Sequence, residues 1–232
     1  MSDQLDILVF GAHPDDAEIG MGATIYKHTK AGYRVGICDL TYAEMSSNGT
    51  VDTRVAEAEE AGRLLGLSER SNLGLPDRGL RLETNQLGAI VKEIRRLRPR
   101  IVFAPYWQDR HPDHVMCSRM TEEAVFNAKL RKMLPDMEPH VVEHLYFYFI
   151  NDIFEPQIVM DVSAEHERKM SALQAYNTQF FTDSGMVATP INQGFLDGII
   201  ARDRSAGHKA GVQFAEGFVA KRPFMIELFP SS

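Results

Sequence analysis

Two short segments of the 232-residue chain hold the side chains whose types and spacing could do chemistry: His13-Pro14-Asp15-Asp16 and His111-Pro112-Asp113-His114. Each places two potential metal ligands three positions apart, with a proline directly after the leading histidine. That proline disfavours helical backbone at the histidine, so the ligands fall on a turn. Imidazoles and carboxylates suit Zn²⁺, and Fe²⁺, Co²⁺ or Ni²⁺ would also fit. A catalytic zinc site takes three protein ligands and keeps a position open, whereas a closed structural site takes four. His13, Asp15, Asp16, His111, Asp113 and His114 exceed either number. The surplus suits hydrolysis, which needs a base for water and an acid for the leaving group. One such motif alone also describes a turn that caps the next helix; the pair favours metal. Spacing leaves open which three groups bind it.

The elements that must position these segments alternate strand and helix. Ile7-Leu8-Val9-Phe10, Val35-Gly36-Ile37-Cys38 and Ile101-Val102-Phe103-Ala104 read as buried strands, with a weaker one over Arg70–Leu73. Helices are expected over 17–30, from Thr50 as N-cap to Leu65, over 84–98 and over 115–132. Later come strands near 141–149 and 158–161, helices near 165–176 and 195–206, and a closing strand near Met225–Phe229. Short, fully apolar strands alternating with helices predict an α/β fold: a Rossmann-like open, mostly parallel sheet with helices on both faces, in a single domain over 1–232. In strand order 3-2-1-4 the first and fourth strands are neighbours at a topological switch point. Both histidine segments then meet at its carboxyl-end crevice.

Composition narrows the class. Lys plus Arg total 25 against 32 Asp plus Glu, a formal charge of −7. That balance argues against a phosphate-tracking nucleic-acid binder. No apolar run approaches the ~18 residues of a membrane span. The first residues lack the pattern of a signal peptide, and the two cysteines, Cys38 and Cys117, form no framework, so a reducing, cytoplasmic location is expected.

Gly11-Ala12-His13-Pro14-Asp15-Asp16, with Glu18 and Gly20 following, and His111-Pro112-Asp113-His114 resemble the LmbE/PIG-L family of metal-dependent N-acetylglucosamine deacetylases. Ser46-Ser47-Asn48-Gly49-Thr50, Leu75–Leu80 and Ala215-Glu216-Gly217-Phe218 look like its bacillithiol-pathway branch, which deacetylates N-acetylglucosaminyl-L-malate. Carried over by position, the resemblance implies one Zn²⁺ per subunit on His13, Asp16 and His114. Asp15 would be the general base. His111, oriented by Asp113, would stabilise the tetrahedral intermediate or protonate the leaving amine. Arg54, Asp77 and Arg110 would bind substrate. Family members are often homo-oligomers, commonly hexamers. Relatives often carry a loop tyrosine where this chain reads Asn192-Gln193-Gly194-Phe195, and Phe195 has no hydroxyl to offer an oxyanion. Rival readings are a deacetylase of another N-acetylated amino sugar or secondary metabolite, and a non-catalytic metal- or sugar-binding protein.

Other signals read as structural. Gly20-Met21-Gly22 lacks dinucleotide-fingerprint spacing. His140 and His144, on an extended segment, stand too far apart to share a metal. His28, His166 and His208 read as solvated, and Arg95, Arg96, Arg98 and Arg100 as a solvated helix cap. The aromatic run Leu145–Ile150 reads as a buried strand, in part a subunit interface.

Overall fold

The computed structural model describes residues 4–152, 154–182 and 184–223. Its first half follows the alternation: β1 (Ile7–Gly11), α1 (Asp16–Lys30), β2 (Val35–Asp39), α2 (Val51–Leu65), β3 (Glu69–Asn72), α3 (Thr84–Leu97), β4 (Ile101–Pro105) and α4 (Pro112–Ala128). Then come β5 (His144–Tyr148), β6 (Ile158–Asp161), α5 (His166–Gln174), α6 (Asn177–Phe180), α7 (Phe195–Ala210) and β7 (Ala215–Val219). The strand expected near Met225–Phe229 lies outside the described residues.

The seven strands form one sheet in the order β3-β2-β1-β4-β5-β7-β6. From β3 to β5 the pairs are parallel, and β7 runs antiparallel to both of its neighbours. Alternate side chains of the interior strands feed two cores. Ile7, Val9, Ile37 and Phe103 pack beneath α1, α2 and α5. Leu8, Phe10, Cys38 and Val102 pack beneath α3 and α4. This two-sided burial is why β1, β2 and β4 are apolar on both faces, the exception being Asp39 at the carboxyl end of β2.

α1 is two helical pieces merged at Met21, where φ is −151° and ψ 26°. The break frees backbone groups, and distant side chains claim them. Glu216 of β7 accepts the N–H groups of Ala23 at 3.1 Å and Thr24 at 2.7 Å, and Arg202 donates to the Ile19 carbonyl. A β-carbon on Gly20 would stand 2.1 Å from the Tyr148 ring, so glycine is what lets α1 lie against β5.

Arg95 and His166 depart from their solvated readings, whereas Arg96, Arg98 and Arg100 are exposed as expected. Arg95 is buried, and its guanidinium donates to the carbonyls of Ala128, Leu130, Met133, Leu134 and Met137, closing the end of α4 and the loop beyond. His166 is buried, stacked 3.8 Å from the Phe214 ring.

Candidate metal centre and active site

β1 and β4 are hydrogen-bonded neighbours, so the loops leaving their carboxyl ends converge. The β1–α1 turn is built around Asp16. Its Oδ2 accepts the N–H groups of Ala12 at 2.9 Å and His13 at 3.0 Å, and its Oδ1 lies 3.1 Å from His114 Nε2. Asp15, just ahead, sits in left-handed backbone with φ 113°. Across the crevice, His111 caps α4 and Pro112 takes its first position. Residues 112–114 thus start the helix three positions earlier than the expected Val115, because proline suits that position and needs no N–H partner there.

His13, His111 and His114 form a triangle with ring centroids 4.6–5.4 Å apart. His13 Nδ1 lies 3.6 Å from Asp16 Oδ2. The ring's Nε2 stands 3.3 Å from Asp77 Oδ1 and 3.6 Å from Asp113 Oδ2. Two ligand groups arise among the described residues: His13, His111 and His114, and His13, Asp77 and Asp113, each with one ligand atom per residue within 4.8 Å of the others. Donors bound tetrahedrally at about 2.0–2.1 Å stand about 3.3 Å apart. Asp16 stands in neither group, because it approaches His13 through Oδ2 and His114 through Oδ1. The imidazoles and carboxylates gathered here are the donor types that suit a divalent ion such as zinc.

The electrostatics divide the groups of the cluster. Burial opposes charging His114, but Asp16 and Asp109 outweigh it and hold the ring at about 9. Burial likewise opposes Asp77, yet the bonds from His13 and the Met45 N–H keep it at about 2. Asp15 behaves oppositely: burial raises it to about 7, with Arg54 pulling the other way. His111 is pushed down to about 4, first by burial and then by the neighbouring imidazoles. Its Nδ1 accepts the Asp113 N–H at 3.2 Å, so the neutral ring carries its proton on Nε2.

The structure brings together most of the side chains expected from sequence. Arg54 donates from Nη2 to Asp15 at 3.3 Å. Asp77 reaches His13. Asp113 orients His111 through its backbone N–H; its carboxylate instead accepts the Arg78 N–H at 2.9 Å and guanidinium at 3.1 Å. The expected carboxylate–imidazole contact is absent because Asp113 lies in the first turn of the helix that His111 caps. Arg110 is exposed, and among the described residues no hydrogen bond or ion pair joins its side chain to the cluster; only its N–H is held, by Asp152 at 2.9 Å. Phe195 opens α7 and stacks on Phe180 at 6.2 Å.

Asp109 and Asn151 were not among the expected residues. Asp109 Oδ1 lies 3.0 Å from His114 Nδ1, and Asn151 donates to Asp109 through both its backbone N–H and its amide. A carboxylate on the far nitrogen of a ligating histidine fixes the ring and raises its basicity. A further acid just ahead of the second histidine segment was the signal for Asp109; nothing in sequence pointed to Asn151.

The sequence model described as GlcNAc-PI de-N-acetylase, PIG-L, matches residues 8–125, a stretch that contains both histidine loops. The chain belongs to the PIG-L family. It is an amide hydrolase of the deacetylase kind. It is 29% identical over 233 residues to diacetylchitobiose deacetylase of Thermococcus kodakarensis, covering 93% of this chain and 85% of that one. It is 27% identical over 186 residues to the "Probable N-acetyl-alpha-D-glucosaminyl L-malate deacetylase 2" of Bacillus subtilis, covering 75% of this chain and 82% of that one. The PIG-L fold here superposes on the conserved protein TT1542 from Thermus thermophilus with a TM-score of 0.90 at 40% identity, covering 99% of this chain and 100% of that one. Among the described residues, no helix is long and apolar enough to cross a membrane.

Proposed function

We propose that the chain hydrolyses the N-acetyl group of N-acetylglucosaminyl-L-malate, a step of bacillithiol biosynthesis, with zinc on His13, Asp16 and His114. The ion, when bound, polarises the amide carbonyl and acidifies water. The rest falls to the chain's own side chains. Asp15, held near neutrality by burial, takes the proton of the attacking water, as a base poised near the working pH does. His111 offers its Nε2 proton to the oxygen that becomes negative as the carbonyl carbon turns tetrahedral. The C–N bond then breaks, and the proton held by Asp15 returns to the departing amine.

The observation that carries the substrate reading is Arg54. It is 3% exposed, and its Nε and Nη1 have no hydrogen-bond partner among the described residues. A buried guanidinium with free donors beside the base suits an anionic substrate, and carboxylates pair with arginine most strongly through two such donors. Asp77 would take sugar hydroxyls and Arg110 a second carboxylate at the rim. A second reading, an N-acetylated chitooligosaccharide, draws on the diacetylchitobiose deacetylase likeness, which spans more of the chain.

Primary-amine release from N-acetylglucosaminyl-malate, N,N′-diacetylchitobiose and free N-acetylglucosamine, with chelator and zinc add-back, tests both. Chelator-sensitive turnover that favours the malate conjugate is expected. Preference for diacetylchitobiose overturns the malate reading, and turnover indifferent to chelator overturns the metal.

A further inference from the structure

Arg54 poses a packing problem. It is buried, yet among the described residues its side chain donates from Nη2 alone, to Asp15 and to the Pro14 carbonyl. A guanidinium tied at one nitrogen is free to rotate about that tie, and its remaining donors would then aim nowhere in particular. What lies against its face is Tyr176, with Arg54 Cζ 5.5 Å from the ring centroid.

Tyr176 is fully buried and is itself held at its far end. Its hydroxyl donates to Glu18 Oε1 at 2.9 Å and accepts from Arg70 Nη2 at 2.9 Å. Arg70 also pairs with Glu18 and with Asp39, at the carboxyl end of β2. The ring is therefore anchored to α1, β2 and β3 together. It presents one aromatic face to the guanidinium and takes neither Nε nor Nη1, which are buried and without a hydrogen-bond partner among the described residues. An aromatic face attracts a desolvated cation without using its hydrogen-bond donors.

We infer that Tyr176 is a positioning residue: its ring holds Arg54 so that the two free donors meet the substrate's anionic group. This rests on the assignment of Arg54 to substrate. Core packing around the fully buried ring keeps it in place even without its hydroxyl, and the ring holds the arginine.

The test is a double-mutant cycle on the zinc-loaded full chain, with N-acetylglucosaminyl-malate as substrate. Tyr176→Leu should raise KM roughly 10- to 30-fold, the size of a desolvated cation–π contact, with kcat and zinc content near those of the parent. Tyr176→Phe keeps the aromatic face and should hold KM within about threefold. In an Arg54→Ala background, Tyr176→Leu should add nothing, since coupled residues are non-additive. Multiplying effects, or a Phe variant as impaired in KM as the Leu variant, overturn the role of Tyr176. If Tyr176→Leu does not fold, Tyr176→Phe decides: a tenfold rise in KM or more overturns the inference, and KM held supports it. An Arg54→Ala variant with parental KM and kcat removes the substrate assignment of Arg54 and this inference with it. Impaired Arg54→Ala combined with multiplying effects removes only the inference.

Discussion

α1 is flanked by two clusters of buried charge that are built on opposite plans. Around its second half, Lys169 Nζ donates to Asp203 and Glu216, both at 2.7 Å, and Arg202 Nε donates to the other Asp203 oxygen at 3.0 Å. The second Glu216 oxygen takes the Thr24 N–H. Two cations meet two carboxylates, and all four carboxylate oxygens are bonded. Around its first turn, Asp15, Asp16, Asp77, Asp109 and Asp113 crowd three imidazoles and two guanidiniums, and Arg54 keeps two donors unpaired. The carboxylates of the first cluster are satisfied within the protein, although His166 Nε2, 3.3 Å from Asp203, makes no hydrogen bond. The second, on the proposed function, takes a cation and an anion from outside.

That contrast predicts opposite consequences of substitution. Asp15→Asn removes the proposed base and should lower turnover by about 10²–10⁴, with zinc content retained and the chain still folded. Amine-release kinetics, metal analysis and thermal unfolding measure the three. Loss of zinc in step with turnover would make Asp15 a ligand and redraw the site. In the first cluster, Lys169→Met leaves Asp203 and Glu216 buried without their shared cation. It should cost about 3–5 kcal/mol in urea unfolding, while turnover per folded molecule stays near that of the parent. A large fall in specific activity would tie this cluster to the chemistry.

The smallest effect is in pH, and its sign differs between the clusters. Asp203 is held well below the usual carboxylate range: burial opposes this, and Lys169 and Arg202 overcome it. Its contribution to stability is complete above an unfolded pKa of about 3.9 and is lost as pH falls toward the depressed folded value. Asp15, raised to about 7, binds its proton more tightly folded than unfolded. Between about pH 4 and 7 the unfolded chain therefore holds fewer protons at this group, and stability declines as pH rises. In zinc-free protein, Asp15→Asn should stabilise more at pH 8 than at pH 5. Denaturation at the two values checks it, and an equal effect at both would mean Asp15 is not raised.

Legibility in the sequence divides along similar lines. β1, β2 and β4 are readable because interior parallel strands are apolar throughout, and the switch-point rule then brings the histidine loops together before any side chain is placed. β7 hid from the same test. Its run Ala215-Glu216-Gly217-Phe218-Val219 carries a charge in mid-strand, and that charge is buried only because Lys169 and the broken α1 meet it there. His166 and Arg95 were unreadable for the same reason: their partners are distant side chains and loop carbonyls. Within the site, residues on the two motifs were legible, whereas Asn151 and Tyr176 arrive from just beyond β5 and α5, where no local pattern marks them.

The left-handed backbone of Asp15 sets how the position can change over time. At φ 113°, branched and bulky residues are strained, while glycine and asparagine sit there comfortably. Each arises from an aspartate codon by a single base change, and each abolishes the base without disturbing the turn that presents His13 and Asp16. On the proposed assignment, the shortest route away from catalysis therefore leaves the metal ligands intact. A descendant that had exchanged hydrolysis for metal or sugar binding would show it as one altered letter, with asparagine or glycine between Pro14 and Asp16.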